Sequence, residues 1–489
     1  MTPARNGSHL LIDGRLVADT GASADVINPS TGEVARTVPI GGSAEIDAAV
    51  AAARRCFDSG EWSSLAPEQR AAILNRLGDL VEAHTADFTH FVETEVGTCR
   101  RIAGPGQVVR PMDHYRDLVS KACVEMGYPM PDLSGPPVTG QRVVREPRGV
   151  VAAITPWNAP HLLNLWKVGP ALATGNTMVL KPAPEAPSCA LLLGELAVAA
   201  GIPAGVLNVV TGGADVGQAM VSDPRVDMIA FTGSSQVGRA IAESAAATLK
   251  HTLLELGGKS ALLALPDADV PSLVAAVMRF VTLAGQGCGL LTRILVPDSL
   301  HDSVVTSLVA AVKGVRVGPA DDPTVSMGPV ISAVARDRVA AMVADAEAAG
   351  ARVVIGGRCP SDTPVGGFYF EPTILTDVSN DMAIAREEIF GPVITVIRYS
   401  GLPEEGIRLA NDSPYGLVGA VWTADTELGL DIAGRIRAGQ VRVNATASGN
   451  DAPFGGYKQS GVGRELGREG LLEYTTVKYI GWQIPTSAQ

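Results

Sequence analysis

The sequence predicts an α/β protein built on a doubly wound parallel sheet, with a second α/β unit and a small β arm. Three observations lead there. From about residue 148 onward, apolar strand-like runs alternate with helix-like ones; this is the rhythm of βαβ units, in which helices cover both faces of a parallel sheet. Aromatic residues make up only 4% of the chain, whereas Gly alone numbers 54, and small side chains let helices sit close on a sheet. With 489 residues, 46% of them apolar and 18% charged, the chain can bury a large core and, at roughly 150 residues per domain, divide into about three units.

The elements follow in order. Residues 45–57 are Ala-rich and helical. Pro67 opens a second helix, where its missing N–H costs nothing, and Ile73, Leu74, Leu77, Leu80 and Val81 recur at helical spacing. Between 127 and 147 the texture changes. Pro129, Pro131, Pro136 and Pro137 cluster with Gly127, Gly135 and Gly140, and an alternating QRVVREP follows, which predicts a loop and then an edge strand. Strands are expected over 150–155, 176–180, 206–210 and 228–231. Helices are expected over 166–174 and 190–200, and from Val237. A second α/β block opens at 260–265 and runs to about 455. The alternating segment 473–482 is placed beside the strand of the 140s.

Composition excludes several function classes. Acidic residues number 51 and basic ones 39, for a net charge of −12, so the basic stripe of a nucleic-acid binder is missing. The longest uncharged run, Gly149 to Trp166, is broken by Pro156, Asn158, Pro160, His161 and Asn164 and is too polar to cross a bilayer. No apolar leader opens the chain. Cys56, Cys99, Cys123, Cys189, Cys288 and Cys359 are scattered without a CxxC, and a cytoplasmic protein is expected. The seven His include no HExxH, so no metal site is expected.

Chemistry in a doubly wound sheet belongs at the carboxyl ends of the strands. No GxGxxG is present. The nearest feature is Gly233-Ser234-Ser235-Gln236-Val237-Gly238 at a strand-to-helix turn, which is either a pyrophosphate cradle or a plain helix cap. Cys288 sits in Gly285-Gln286-Gly287-Cys288-Gly289. It is either an inert buried thiol or a nucleophile whose pKa is lowered by flanking N–H groups. Glu255 lies in the apolar LLELGG; it either faces solvent or is buried, with its pKa raised into the range of a general base. Asn158 is a turn former or a hydrogen-bond donor to developing negative charge.

Eight pieces in order tie these features together: ITPWNAP (154–160), WKVGPALATGN (166–176), LKPAP (180–184), FTGSSQVGR (231–239), LELGGKS (254–260), GQGC (285–288), EEIFGP (387–392) and PFGGYKQSGVGRE (453–465). Along nearly its whole length the chain resembles the aldehyde dehydrogenase superfamily. The resemblance implies a dinucleotide-binding domain over 1–125 and 147–254, a catalytic domain over 255–455, and an oligomerisation arm over 126–146 and 471–489 that makes a homodimer or homotetramer. It implies that Cys288 is the nucleophile, carrying the substrate first as a thiohemiacetal and then as a thioester. Asn158 and the Cys288 N–H look like the oxyanion hole, and Glu255 like the base that activates water. Lys167 and Glu465 look like a buried pair that either relays protons or braces the cleft. Cofactor positions implied in the same way are Ile154, Thr155, Pro156, Trp157, Lys181, Pro184, Gly213, Gly217, Phe231, Thr232, Gly233, Ser234, Val237, Leu256, Gly257, Glu388 and Phe390.

Two departures from the family pattern bear on specificity. Pro184 stands where an acidic residue often binds the adenosine ribose, which leaves NAD as the expected cofactor with NADP tolerated. Small residues, Ala159, Gly287 and Gly289, stand where bulky ones are common. With Leu163, Trp166 and Phe454 as apolar lining, they predict a wide tunnel for a bulky or long-chain aldehyde. The competing readings are a coenzyme A-acylating semialdehyde dehydrogenase, disfavoured by the presence of Glu255, and a non-enzymatic protein of the same fold.

Overall fold

The computed structural model describes residues 6–124, 126–133 and 139–484. Gly135, Pro136 and Pro137, and the extreme ends of the expected units, lie outside the described residues. Two large sheets organise the chain. The first has eight strands in the order Arg15–Val17, Leu10–Ile12, Leu207–Val209, Thr177–Lys181, Val150–Ile154, Met228–Thr232, His251–Glu255 and Gly461–Val462. Its five central strands, from Leu207–Val209 to His251–Glu255, run parallel. Their sequences are continuous apolar runs, because helices cover both faces; Val150 to Ala153 and Met228 to Ala230 are fully buried. Ser188–Ala200, expected over 190–200, ends in a left-handed Gly201.

One helix begins earlier than expected. The sequence placed it at Trp166, but it spans Pro160–Ala173. Pro160 marks its first turn rather than a break, since the ring fixes a helical φ where no N–H is needed. The second sheet contains Arg352–Ile355, Thr373–Thr376, Val393–Tyr399, Leu291–Pro297, Ser260–Ala264, Val418–Trp422 and Gln440–Val443, in that order. All its neighbours are parallel except the first pair. The chain passes from the carboxyl end of His251–Glu255 in the first sheet to the amino end of Ser260–Ala264 in the second through only four residues. That short link brings the two sheets' functional ends face to face.

A three-stranded antiparallel sheet forms the arm: Thr475–Gln483, Thr139–Pro147 and Gly127–Pro129. The C-terminal strand pairs with the strand of the 140s as expected. However, Thr139–Pro147 is central, not an edge. The edges are Thr475–Gln483 and the three residues Gly127–Pro129, where the proline-rich texture does confine pairing. Tyr128, Val477, Tyr479 and Trp482 of this sheet are all exposed. Among the described residues no helix is long and apolar enough to cross a membrane, and no group of three or more His, Cys, Asp or Glu is placed to hold a metal ion.

Candidate active site

The loop between Met278–Leu283 and Leu291–Pro297 carries Cys288. Gly285 sets its path: φ is +73°, and a Cβ there would drive into the backbone at Gly391 and Pro392. The loop is therefore locked against the EEIFGP segment. Gln286 fixes it from the other side, its Oε1 accepting from Ile331 N at 2.8 Å. Asn158 follows strand Val150–Ile154, and its buried Nδ2 donates to the Gln286 carbonyl at 2.9 Å. Gln107 Nε2 in turn donates to the Asn158 carbonyl at 3.4 Å. The amide is thus anchored two residues from the thiol, with a second N–H left for another acceptor. Among the described residues the backbone N–H of Cys288 has no acceptor.

Cys288 is half-buried. The sequence suggested a thiol made acidic by neighbouring N–H groups, but the opposite holds. Burial pushes it up to about 12, and Glu388, Glu255 and Glu465 push the same way; only the Gly289 N–H opposes them. Burial and the nearby acidic groups together disfavour a negative charge on the sulfur. The resting group is a thiol.

Glu255 ends strand His251–Glu255, pairing with Thr232 on one side and Gly461 on the other. It is buried, and neither carboxyl oxygen has a hydrogen-bond partner. Burial holds its pKa well above the carboxylate range, with Glu465 adding to the effect. Lys167 lies on helix Pro160–Ala173. Its Nζ, fully buried, meets Glu465 Oε1 at 2.5 Å and donates to Thr232 Oγ1 at 2.7 Å. Thr232, expected at the cofactor, therefore spends its hydroxyl on this ion pair. Glu465 Oε2 is without a partner. One ammonium and two carboxyl groups thus share a buried cluster near Cys288.

The remaining strand ends form a continuous groove. Lys181 closes strand Thr177–Lys181; it is buried, and among the described residues its Nζ reaches only the Pro182 carbonyl, at 3.3 Å. Burial lowers its pKa, and Glu185 and Asp215 counter that. Gly217 leaves room beside it: a Cβ would stand 3.7 Å from Lys181 Cδ and 3.8 Å from Ile154 Cδ1. Gly213 caps helix Ala214–Ser222, and Ser234 caps Ser235–Ala246, accepting from Val237 N. Pro184 and Glu185 are exposed, and so is Val237. Phe231 and Leu256 are buried beneath the groove. Thr155 uses its hydroxyl on Asn164 Oδ1 at 2.8 Å, so its role is to hold the turn that carries Pro156 and Trp157. At the other end Glu388 Oε1 accepts from Gly258 N at 3.0 Å. Its second oxygen packs on Gly257, where any Cβ would collide with it. Phe390, at φ +52°, meets Trp157 edge-on with ring centroids 5.4 Å apart.

A cavity of about 250 Å³ opens beside Gly289. Trp166, Phe454 and Leu162 line it. Trp166 packs on Phe454 at 5.4 Å and donates through Nε1 to His114 Nδ1 at 3.1 Å. Three residues expected in the lining are not there. Leu163 is buried in the core of the first sheet, Ala159 is taken up in starting the helix, and the open side of Gly287 faces Leu283 and Leu290. The sequence reading also missed the polar part of the lining: Arg110, Arg279 and Arg442 border the same cavity.

Comparison with known proteins agrees with this layout. The aldehyde dehydrogenase family profile matches residues 16–480. A betaine aldehyde dehydrogenase of Bacillus subtilis is 39% identical over 479 residues, 96% of this chain and 96% of the relative. A 2-hydroxymuconic semialdehyde dehydrogenase of a Pseudomonas species is 39% identical over 484 residues, 96% of this chain and 98% of the relative. Among solved structures, an aldehyde dehydrogenase of Mycobacterium tuberculosis complexed with NAD+ superposes with a TM-score of 0.93 at 41% identity, covering 99% of both chains. The match runs nearly end to end, through both sheets and the Cys288 loop, and the chain belongs to the aldehyde dehydrogenase family.

Proposed function

We propose that this family member oxidises an aldehyde to the free carboxylic acid with NAD(P)+ and water, by covalent catalysis at Cys288. The observation that carries the proposal is the convergence on one cleft of a half-buried thiol, an unpartnered buried carboxyl group at Glu255 and the anchored amide of Asn158.

The residues present fit a dinucleotide. Gly217 adds no side chain beside Ile154 and Lys181, and two of the three Nζ donors of Lys181 are open to ribose hydroxyls. The helix starts after Gly213 and Ser234 offer N–H groups to phosphate. Glu388 would accept from the second ribose, and Trp157 and Phe390 would flank the ring. No carboxylate stands at Pro184, and Glu185 beside it is exposed, so the reading is NAD preferred and NADP accepted. The NAD+ complex of the mycobacterial relative supports that preference.

Sγ of Cys288 attacks the carbonyl carbon, and its proton passes to Glu255 and on towards Glu465 Oε2. The new oxyanion accepts from Asn158 Nδ2 and the Cys288 N–H, donors already fixed before reaction. Bound NAD(P)+ supplies the acceptor for the hydride whose loss turns the thiohemiacetal into a thioester. Glu255 then takes a proton from water, the hydroxide adds to the thioester carbon, and the C–S bond breaks to restore the thiol. Aldehyde, water and oxidised cofactor are consumed; acid, reduced cofactor and one proton are released. A substrate longer than acetaldehyde fills the cavity past Gly289. The three sequence-derived units remain our domain reading, and the exposed apolar side chains of the arm support at least a dimer, which light scattering on the eluted protein will measure.

The test is reduced-nicotinamide formation from an aldehyde panel with and without coenzyme A, with the product identified by mass spectrometry. Free acid formed without coenzyme A is expected; strict dependence on coenzyme A would reject water as the acceptor.

A further inference from the structure

We infer that the cavity beside Gly289, the residue next to Cys288, takes aldehydes that carry a carboxylate at the far end of the chain. The inference rests on the function proposed above and names its substrate class. Arg110, Arg279 and Arg442 all border the cavity, and no Asp, Glu or Lys is in its lining. They come from three separate segments: the start of helix Arg110–Lys121, the turn Met278–Leu283 that leads into the nucleophile loop, and strand Gln440–Val443. Convergence from three places in the sequence is not the by-product of one basic stretch.

Their existing partners are neutral. Arg110 donates to the Ser448 carbonyl at 3.2 Å. Arg442 donates to Ser448 Oγ, the Thr446 carbonyl and Gln440 Oε1, at 3.0 to 3.1 Å. Asp113 and Asp451 flank these segments, but both are exposed and outside the lining. Arg442 is pulled below its usual pKa by burial and by Arg279 and Arg110. Three guanidinium groups thus repel one another around one space, in a chain with twelve more acids than bases. A planar anion placed among them relieves that repulsion and matches their fork of donors.

Inward of the cavity, past Gly289 to Cys288, the sign is opposite: Glu388, Glu255 and Glu465 all push the thiol's pKa up. An aldehyde with a distal carboxylate is repelled from the inner end and held at the outer one, so its carbonyl is the end presented to Sγ. A cationic aldehyde meets the reverse field.

The test uses the purified full chain and a series of ω-oxo carboxylic acids of increasing length, with n-alkanals and ω-oxo methyl esters of the same length as neutral controls. The best oxo acid is expected to exceed its ester by about 10- to 100-fold in kcat/KM, mainly through KM, as charge-assisted hydrogen bonds allow. The margin should shrink as ionic strength rises. R442Q and R279Q should each drive the acid-to-ester ratio towards one, and R442E should turn it in favour of a trimethylammonium aldehyde. As a check independent of turnover, dicarboxylic acids of matching length should inhibit the unmodified enzyme competitively against aldehyde and lose that effect in R442Q. Esters or alkanals oxidised as well as the oxo acids, or dicarboxylates that do not inhibit, would overturn the substrate class while leaving the dehydrogenase reading intact. Absence of reduced cofactor from every aldehyde, charged or neutral, would overturn both.

Discussion

Two charged sets stand near Cys288: an inner set of three carboxyl groups, Glu255, Glu388 and Glu465, that push the thiol's pKa up, and an outer set of three guanidinium groups that border the cavity beside Gly289. The two sets differ in more than sign. Glu255 and Glu465 are buried, and three of their four oxygens lack a hydrogen bond, a costly arrangement for a fold to hold. Arg110 and Arg442 are only partly buried and Arg279 is exposed, so the outer set costs little. Expensive, unpartnered groups accumulate where protons must move; inexpensive charge suffices where a substrate is only gripped. Inner substitutions should therefore act on kcat and on stability, and outer ones on KM.

The largest effect expected from breaking the inner end comes from Cys288→Ala. Without a nucleophile, reduced-cofactor formation should fall by about 10⁴-fold or more, and activity within tenfold of the unmodified enzyme would remove covalent catalysis from the account. Next is Glu255→Gln, expected to lower steady-state turnover by about 10²- to 10⁴-fold while leaving a rapid burst of one reduced nicotinamide per site in stopped flow. Loss of the burst as well would assign Glu255 to an earlier step. Asn158→Ala should cost about 10²- to 10³-fold in kcat with little change in KM; a change confined to KM would make it a binding residue.

The buried pair sharpens the stability side of the contrast. Lys167→Met leaves Glu465 ionised without its cation and should cost about 3–5 kcal/mol, read as a large fall in melting temperature. K167M/E465L should recover much of it. An unchanged melting temperature in the single variant would mean the pair contributes nothing to the fold. The smallest predicted signal concerns the resting thiol. Because its pKa is raised to about 12, the thiolate fraction grows with pH and does not saturate below that value. Alkylation of the cofactor-free enzyme by iodoacetamide should then quicken by about tenfold per unit between about pH 7 and 10. A plateau near neutrality would show an ionised cysteine and contradict the electrostatics of the inner end.

Much of this was legible before any coordinates. The parallel strands announce themselves as Val- and Ala-rich runs that cannot face water on either side, and Cys288, Glu255 and Asn158 stand out as polar residues in apolar or glycine-rich settings. The misses share one cause: the sequence shows what a residue is but not which neighbours converge on it. The glycines around Cys288 suggested an acidic thiol, yet carboxyl groups at 255, 388 and 465, distant along the chain, decide its protonation. Leu163 and Leu162 are indistinguishable by type, and only the helix phase turns Leu162 to the cavity and its neighbour to the core. Arg110, Arg279 and Arg442 lie 163 or more residues apart in sequence, so no local pattern joins them. One clue was available: Arg442 is the charged residue on the polar side of the alternating strand Gln440–Val443.

The most direct test of the central claim is intact-mass spectrometry of the Glu255→Gln enzyme, quenched during turnover with an aldehyde and NAD+. The account predicts a mass increase equal to the substrate acyl group, located by peptide mapping at Cys288. Reduced cofactor that accumulates while residue 288 stays unmodified would contradict it.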